Sequence, residues 1–248
     1  MNLTIVIPCL NLWTKFTKPC LDSIKTSYPY RIVLVDNGST DETRDEASKL
    51  VSPTFQHRRY ENNTGTARSW NWGILDGFEK GADGVLVLNN DILLHPACID
   101  RLVQRMQQDH GAVGLVSALD VRGEVGAPED VFSIPADSKT GVAESDHPNF
   151  SAFLLSRRCF DLVGQFDEAY YPAYFEDNDY HYRILLAGLR AVVHPPAMFY
   201  HHGSRTQNEA RASPIVPGSV FEENRVYYVR KWGGPPGREK FGEPFGAR

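Results

Sequence analysis

The chain is poor in cysteine. Cys9, Cys20, Cys98 and Cys159 are its only four in 248 residues. They are widely spaced and form no Cys-x-x-Cys pair, so neither a zinc site nor a disulfide framework is supported. Reduced thiols in a cytosolic protein are the expectation. Long apolar runs are also missing: none approaches the roughly 18–20 residues that span a bilayer. The N-terminus enters a strand at once, without the basic region and apolar core of a signal peptide. The expected location is therefore cytoplasmic, with at most transient visits to a membrane. Positive charge is in deficit, with 26 Lys and Arg against 31 Asp and Glu, a net −5. That argues against a broad nucleic-acid footprint and leaves open only a local basic groove. Internal repeats, low-complexity segments and a dividing linker are all lacking.

What is present is an ordinary soluble composition, 42% hydrophobic and 23% charged, long enough for a sizeable core. Leu3 to Cys9 reads as a strand, and Trp13 to Ser27 as a helix with Phe16, Cys20, Leu21 and Ile24 at helical spacing. A strand over Arg31–Val35 is followed by a helix to about Val51, for which Thr40 is the expected N-cap. A third strand over Phe55–Tyr60 leads to a helix carrying Trp70, Ile74, Leu75 and Phe78. Such alternation predicts an α/β fold, a mostly parallel sheet with helices on both faces. Pro96–Asp109 reads as a helix and Ala112–Leu119 as a strand. Residues 120–148, rich in Gly, Pro, Asp and Ser, read as a long surface excursion, functional or mobile. After it come a strand (Phe150–Ser156), a short helix ended by Gly164, a helix from Glu176 to Leu186, short strands at Ala191–Val193 and Met198–Tyr200, and a tail helix over Pro217–Trp232.

The pivotal stretch is Val85-Leu86-Val87-Leu88-Asn89-Asn90-Asp91-Ile92. A short aliphatic strand delivers two amides and a carboxylate at its carboxyl end, where open parallel sheets bind ligands. A lone carboxylate among amides suits a hard ion such as Mg²⁺ or Mn²⁺. An Asx turn in which Asp91 merely closes the strand accounts for the stretch as well.

The resemblance rests on several pieces in order. Ile5-Val6-Ile7-Pro8, Val35-Asp36-Asn37-Gly38-Ser39-Thr40-Asp41, Asn63-x-Gly65 with Asn71-x-Gly73, and Asn89-Asn90-Asp91 resemble the inverting glycosyltransferases of family 2. So do Gly164-Gln165-Phe166-Asp167-Glu168, Phe175-Glu176-Asp177-Asn178-Asp179 and His201-His202-Gly203-Ser204. The resemblance covers roughly residues 3 to 206 and implies the GT-A fold, a Rossmann-like single domain. On that reading residues 1–211 form the glycosyltransferase domain, 1–118 its nucleotide-binding half and 119–211 its acceptor and catalytic half. Residues 212–248 would pack on it as a helix and tail.

The resemblance implies metal-dependent transfer of a sugar from a nucleotide-sugar donor to an acceptor hydroxyl. Asp91 matches the last Asp of the family's Asp-x-Asp motif, the ligand of one Mn²⁺ or Mg²⁺; Asn89 replaces the first. Asp36 would contact the nucleoside, with Pro8, Cys9 and Asn11 beside base and ribose; a turn residue is the plainer account of Asp36. Asn63, Gly65 and Asn90 would border the nucleotide, though loop structure also explains Asn63 and Gly65. Asp177 is the expected general base, with Glu176 second, since inverting attack needs a proton acceptor opposite the leaving group. His201 and His202 are candidate metal or diphosphate ligands in a register the tandem pair leaves open; Ser204 and Arg205 would add diphosphate donors. Arg68 is either a phosphate partner or an exposed helix residue. Asp167 is a candidate hydroxyl binder, and Asp179 is structural or acceptor-facing. Trp70, Trp72, Tyr227, Tyr228 and Trp232 stack on ligand or fill the core. The acceptor stays open among saccharide, lipid-linked glycan, protein side chain and modified nucleic acid, and so does the oligomeric state. A nucleotidyltransferase would carry a Gly-rich basic loop after strand one, where this chain has Pro8-Cys9-Leu10-Asn11. A non-catalytic binding module is the third reading, with Asn89 in its favour.

Overall fold

The computed structural model describes residues 1–108, 111–203 and 218–247. Its strands are β1 (Leu3–Cys9), β2 (Tyr30–Asp36), β3 (Phe55–Arg59), β4 (Gly84–Leu88), β5 (Ile92–Leu94), β6 (Val113–Asp120), β7 (Ala152–Ser156) and β8 (Arg190–His201). The helices are α1 (Lys18–Ser23), α2 (Thr43–Lys49), α3 (Thr66–Glu79), α4 (Cys98–Gln108), α5 (Arg157–Val163), α6 (Glu176–Leu186) and α7 (Gly218–Trp232). One sheet holds the strands in the order β3-β2-β1-β4-β7-β6-β8-β5. The first four run parallel, β7 is antiparallel to both its neighbours, β6 and β8 are parallel, and β5 closes the far edge antiparallel to β8.

The central strands read as unbroken apolar runs because both faces are covered. In β1 the two-residue period sends Ile5 and Ile7 to one side, where they share a core with Cys20 of α1, Ala47 of α2 and Leu102 of α4. It sends Val6 to the other, against Trp70, Ile74 and Phe78 of α3 and Tyr180 and Ile184 of α6. α3 can approach β1 closely only because Gly73 has no side chain. A Cβ there would overlap the Val6 methyls, and one at Gly77 would come within 2.9 Å of Thr4 Cβ.

Four sequence expectations need correction. The first helix is split into a wide turn at Trp13–Thr17 and the short α1. α2 begins after Glu42, which gives no side-chain cap, and not after Thr40. The two short strands at 191–193 and 198–200 are one strand running through Pro195 and Pro196. The 120–148 segment is tied down, not a free excursion. Val121 and Val131 are fully buried with Leu93 and Met198. Glu144 bridges Arg105 (2.5 Å) and His194 (3.0 Å), and Ser145 pairs with Val193. All four cysteines are free and buried. No helix among the described residues is long and apolar enough to cross a membrane.

The α3–β1 contact yields a direct check. Gly73→Ala should cost about 1–3 kcal/mol through overpacking, read as a lower urea midpoint. In a Val6→Ala background the cost should shrink, since contacting residues do not act additively. Equal costs in both backgrounds would refute the close approach.

Candidate active site

The carboxyl ends of β1, β2 and β4 open on one rim, where a cavity of about 590 Å³ is found. Pro8 and Cys9 from β1, Asn63 and Gly65 from the loop before α3, Asn89, Asn90 and Asp91 after β4, Glu176 and Asp177 at the start of α6, and His201 at the end of β8 all line it. Residues far apart in sequence thus face one space.

β5 fixes the metal-ligand candidates. Ile92 pairs with His201, and the Asp91 carbonyl accepts from His202 N–H at 3.0 Å. Side chains alternate along a strand, so the tandem histidines diverge. His201 Nε2 lies 3.2 Å from Asp91 Oδ1, with its other ring nitrogen 3.5 Å from Ser151 Oγ. The His202 ring packs against Phe16 and Tyr200 and does not line the cavity. Of the two, the geometry therefore favours His201. A carboxylate oxygen and an imidazole nitrogen, both nearly buried, suit a divalent ion whose remaining positions go to phosphate and water. No cluster of three protein ligands exists among the described residues. Asn89 donates its N–H to Ser151 O at 2.8 Å, and the Asn90 amide donates to Thr17 Oγ1 at 3.0 Å.

The acidic pair sits on the same cavity. Phe175, at φ 73°, turns the chain into α6 and gives no side-chain cap. Burial, reinforced by neighbouring Asp177, pushes the Glu176 carboxyl well above its ordinary range, and its Oε2 has no hydrogen-bond partner. Burial also raises Asp177, less strongly opposed by N–H groups of the helix start, with Asn178 N–H donating to Oδ1 at 2.8 Å.

Two nucleoside candidates are placed differently from expectation. Asp36 does not line the cavity. Its carboxylate is sealed, accepting from Ser39 N–H at 2.7 Å beside Arg59 (3.3 Å) and His57 (3.7 Å). Burial alone would raise it, but His57, Ser39 and the charge of Arg59 hold it below the usual range. The next residue, Asn37, reaches the cavity instead. Asn11 is likewise used internally, its amide oxygen accepting from Thr40 N–H at 2.7 Å. Cys9 lines the cavity, its thiol pushed up by burial and then by Asp36 and Asp41. Ser204 and Arg205 lie outside the described residues. Arg68 is exposed, 3.9 Å from Glu168, and does not line the cavity.

The remaining candidates are engaged by the protein's own groups. Asp179 is fully buried and receives Trp232 Nε1 (2.9 Å), Arg183 Nε (2.9 Å) and Lys231 Nζ (2.6 Å). Asp167 receives Lys231 Nζ (2.7 Å) and Tyr227 OH (3.0 Å). Lys231 is buried between these carboxylates. Trp70 is core, edge-on to Phe153 and Phe166, yet borders the cavity. Sequence reasoning missed the wall formed by His147, Asn149 and Ser151. Those residues carry no signal of their own; packing of the 120–148 segment alone brings them there.

A sequence profile described as Glycosyl transferase family 2 matches residues 4–131. The chain is 39% identical over 118 residues to a galactofuranosyl glycosyltransferase of Leishmania donovani, 46% of this chain but only 27% of that relative's length. It is 28% identical over 228 residues to an N-acetylglucosaminyl-diphospho-decaprenol L-rhamnosyltransferase of Mycobacterium tuberculosis, covering 78% of this chain and 73% of that one. Among solved structures, a mannosyltransferase from Pyrobaculum calidifontis in complex with GDP-Man and Mn²⁺ superimposes with a TM-score of 0.60 at 16% identity, over 93% of this chain and 71% of that chain. TarS from S. aureus in complex with UDP-GlcNAc gives 0.64 at 16% identity, over 93% and 66%. These structures share the GT-A architecture. A match over more than half of the sequence, together with this fold, means that the chain belongs to glycosyl transferase family 2.

Proposed function

We propose that this glycosyltransferase is a metal-dependent, inverting enzyme that moves a sugar from a nucleotide-sugar donor to an acceptor hydroxyl. The observation that carries the reading is the shared cavity, with the Asp91–His201 pair and the Glu176–Asp177 pair both on its wall. Among the described residues no Lys or Arg lines that cavity. A diphosphate entering it needs its charge offset, and Asp91 with His201 would hold a divalent ion that supplies this as Lewis acid. Neutral amides at Asn89 and Asn90 accept and donate hydrogen bonds to ribose, sugar or metal-bound water without adding negative charge beside the diphosphate. Asp177 takes the proton from the acceptor hydroxyl as its oxygen attacks the anomeric carbon and the bond to the nucleoside diphosphate, leaving from the opposite face, breaks. Its burial raises its basicity, which suits that task. Glu176, more deeply buried, stays protonated through a wider pH range and is the weaker candidate for base. The short Pro8-Cys9-Leu10 turn leaves no Gly-rich basic loop for nucleotidyl transfer.

Hydrolysis of nucleotide sugars in the presence of Mn²⁺ tests this reading. Asp91→Ala and Asp177→Ala should each lose about 10²- to 10⁴-fold in turnover. Unchanged turnover in both variants would remove the mechanism.

The pH dependence follows from the two raised carboxyls. Asp177 acts only when ionised, so the acid limb of kcat/KM should fall at a pH above its ordinary value of 3.8, and Asp177→Asn should abolish that limb with the activity. For stability the sign is opposite. Folded Glu176 keeps a proton that the unfolded chain has already released, so its contribution is greatest below its unfolded value of 4.5 and is lost as pH rises through the folded value. Glu176→Gln should therefore raise the thermal midpoint at pH 8 and change it little at pH 4. A midpoint lowered equally at both would contradict the burial of an ionisable Glu176.

A further inference from the structure

The cavity does not end at Asp177. Tyr174, three residues earlier, lines it, and three residues of chain span at most about 11 Å. The Phe221 ring of α7 meets Tyr174 at 5.3 Å and Phe175 at 5.1 Å. Phe221 nonetheless keeps 46% of its surface exposed. On the same rim, Tyr171 is 53% exposed, anchored by its hydroxyl donating to Asn63 O at 3.2 Å. These rings therefore continue the cavity wall outward from the carboxylate pair.

The backbone beneath them is held on purpose-built contacts. Tyr174 and Phe175 both lie at positive φ, 81° and 73°, which costs energy for bulky side chains and persists only where neighbours enforce it. Asn224 of α7, itself buried, supplies the enforcement. Its amide donates to Ala173 O at 2.9 Å and to Tyr174 O at 3.2 Å. α7 thus presents one ring and clamps the loop that presents the others. A core would bury such aromatic surface; here it remains open beside the reacting groups.

We propose that Tyr171, Tyr174 and Phe221 form an acceptor subsite that stacks the apolar face of a saccharide ring and steers its hydroxyl to Asp177. This rests on the functional reading above and adds the acceptor's chemical class. The C–H face of a pyranose packs on aromatic surface as other apolar groups do, while its hydroxyls stay in water. A nucleobase would stack equally well, but its phosphates would meet a wall without Lys or Arg among the described residues, on a chain of net charge −5. A saccharide needs no such charge.

The test uses the full chain with UDP or GDP and Mn²⁺ present. Saturation-transfer NMR is run with methyl glycosides of glucose, galactose, mannose, N-acetylglucosamine and rhamnose, and with thymidine. At least one glycoside should bind saturably, five- to tenfold more weakly to Phe221→Ala, and Phe221→Trp should restore it. Phe221 is partly exposed, and an unchanged circular dichroism spectrum and thermal midpoint check that the alanine variant keeps its fold. Glycoside binding indifferent to Phe221, no glycoside binding at all, or a Phe221-dependent signal from thymidine alone would overturn the subsite. Absent hydrolysis by the parent would overturn the donor chemistry instead, a separate result.

Discussion

The pairing of β5 with β8 is the constraint on which the Asp91–His201 side of the cavity depends. β5 is only three residues long, yet it turns the chain back after Asn90-Asp91 and joins it to a strand more than a hundred residues away. A strand pair fixes both register and side-chain direction. Ile92 opposite His201 therefore delivers Asp91 and the His201 imidazole to the same point and sends His202 to the other face. A slip of one residue would exchange the two histidines and dismantle the site. Both donors are nearly buried, so neither is free to search for its partner; the sheet sets their separation.

The Glu176–Asp177 side is held by a different device. α7 closes over the start of α6 through a buried charge network, with Lys231 between Asp167 and Asp179 and Trp232 donating to Asp179. Each partner of such a network depends on the others, because an unpaired charge left in the interior costs several kcal/mol. The same helix clamps the 171–175 loop through Asn224. Unlike Asp167 and Asp179, Glu176 and Asp177 have no cation beside them among the described residues. That contrast accounts for their raised proton affinities: desolvation acts on them while no cation offsets it.

Much of this was legible from residue pattern. Hydrophobic runs at Leu3–Cys9, Arg31–Val35 and Val85–Leu88, with helical spacing between them, gave the parallel half of the sheet, because strands buried on both faces must be apolar throughout. Asp91 and Asp177 stood out because they fall at motif positions of the resemblance; residue chemistry alone left an Asx turn open for Asp91 and an acidic helix start for Asp177. Less was legible where polar residues serve the scaffold. Asp36 has the sequence context of a ligand contact, but Arg59 on the adjacent strand and the Ser39 amide take up its carboxylate. Lys231 looks like a surface cation, and only the approach of α7 to α6 buries it.

The sequence by itself determined the fold class, the rim to which the strand ends lead, and the two acidic motifs, since these follow from local periodicity and from residue chemistry at element boundaries. Only the tertiary structure decided which histidine meets Asp91, that the 147–151 segment is a wall of the cavity, and that α7 carries Phe221 to its mouth. Each of those depends on contacts between segments distant in the chain, and local propensity holds no information about which distant surface a polar or aromatic side chain will meet.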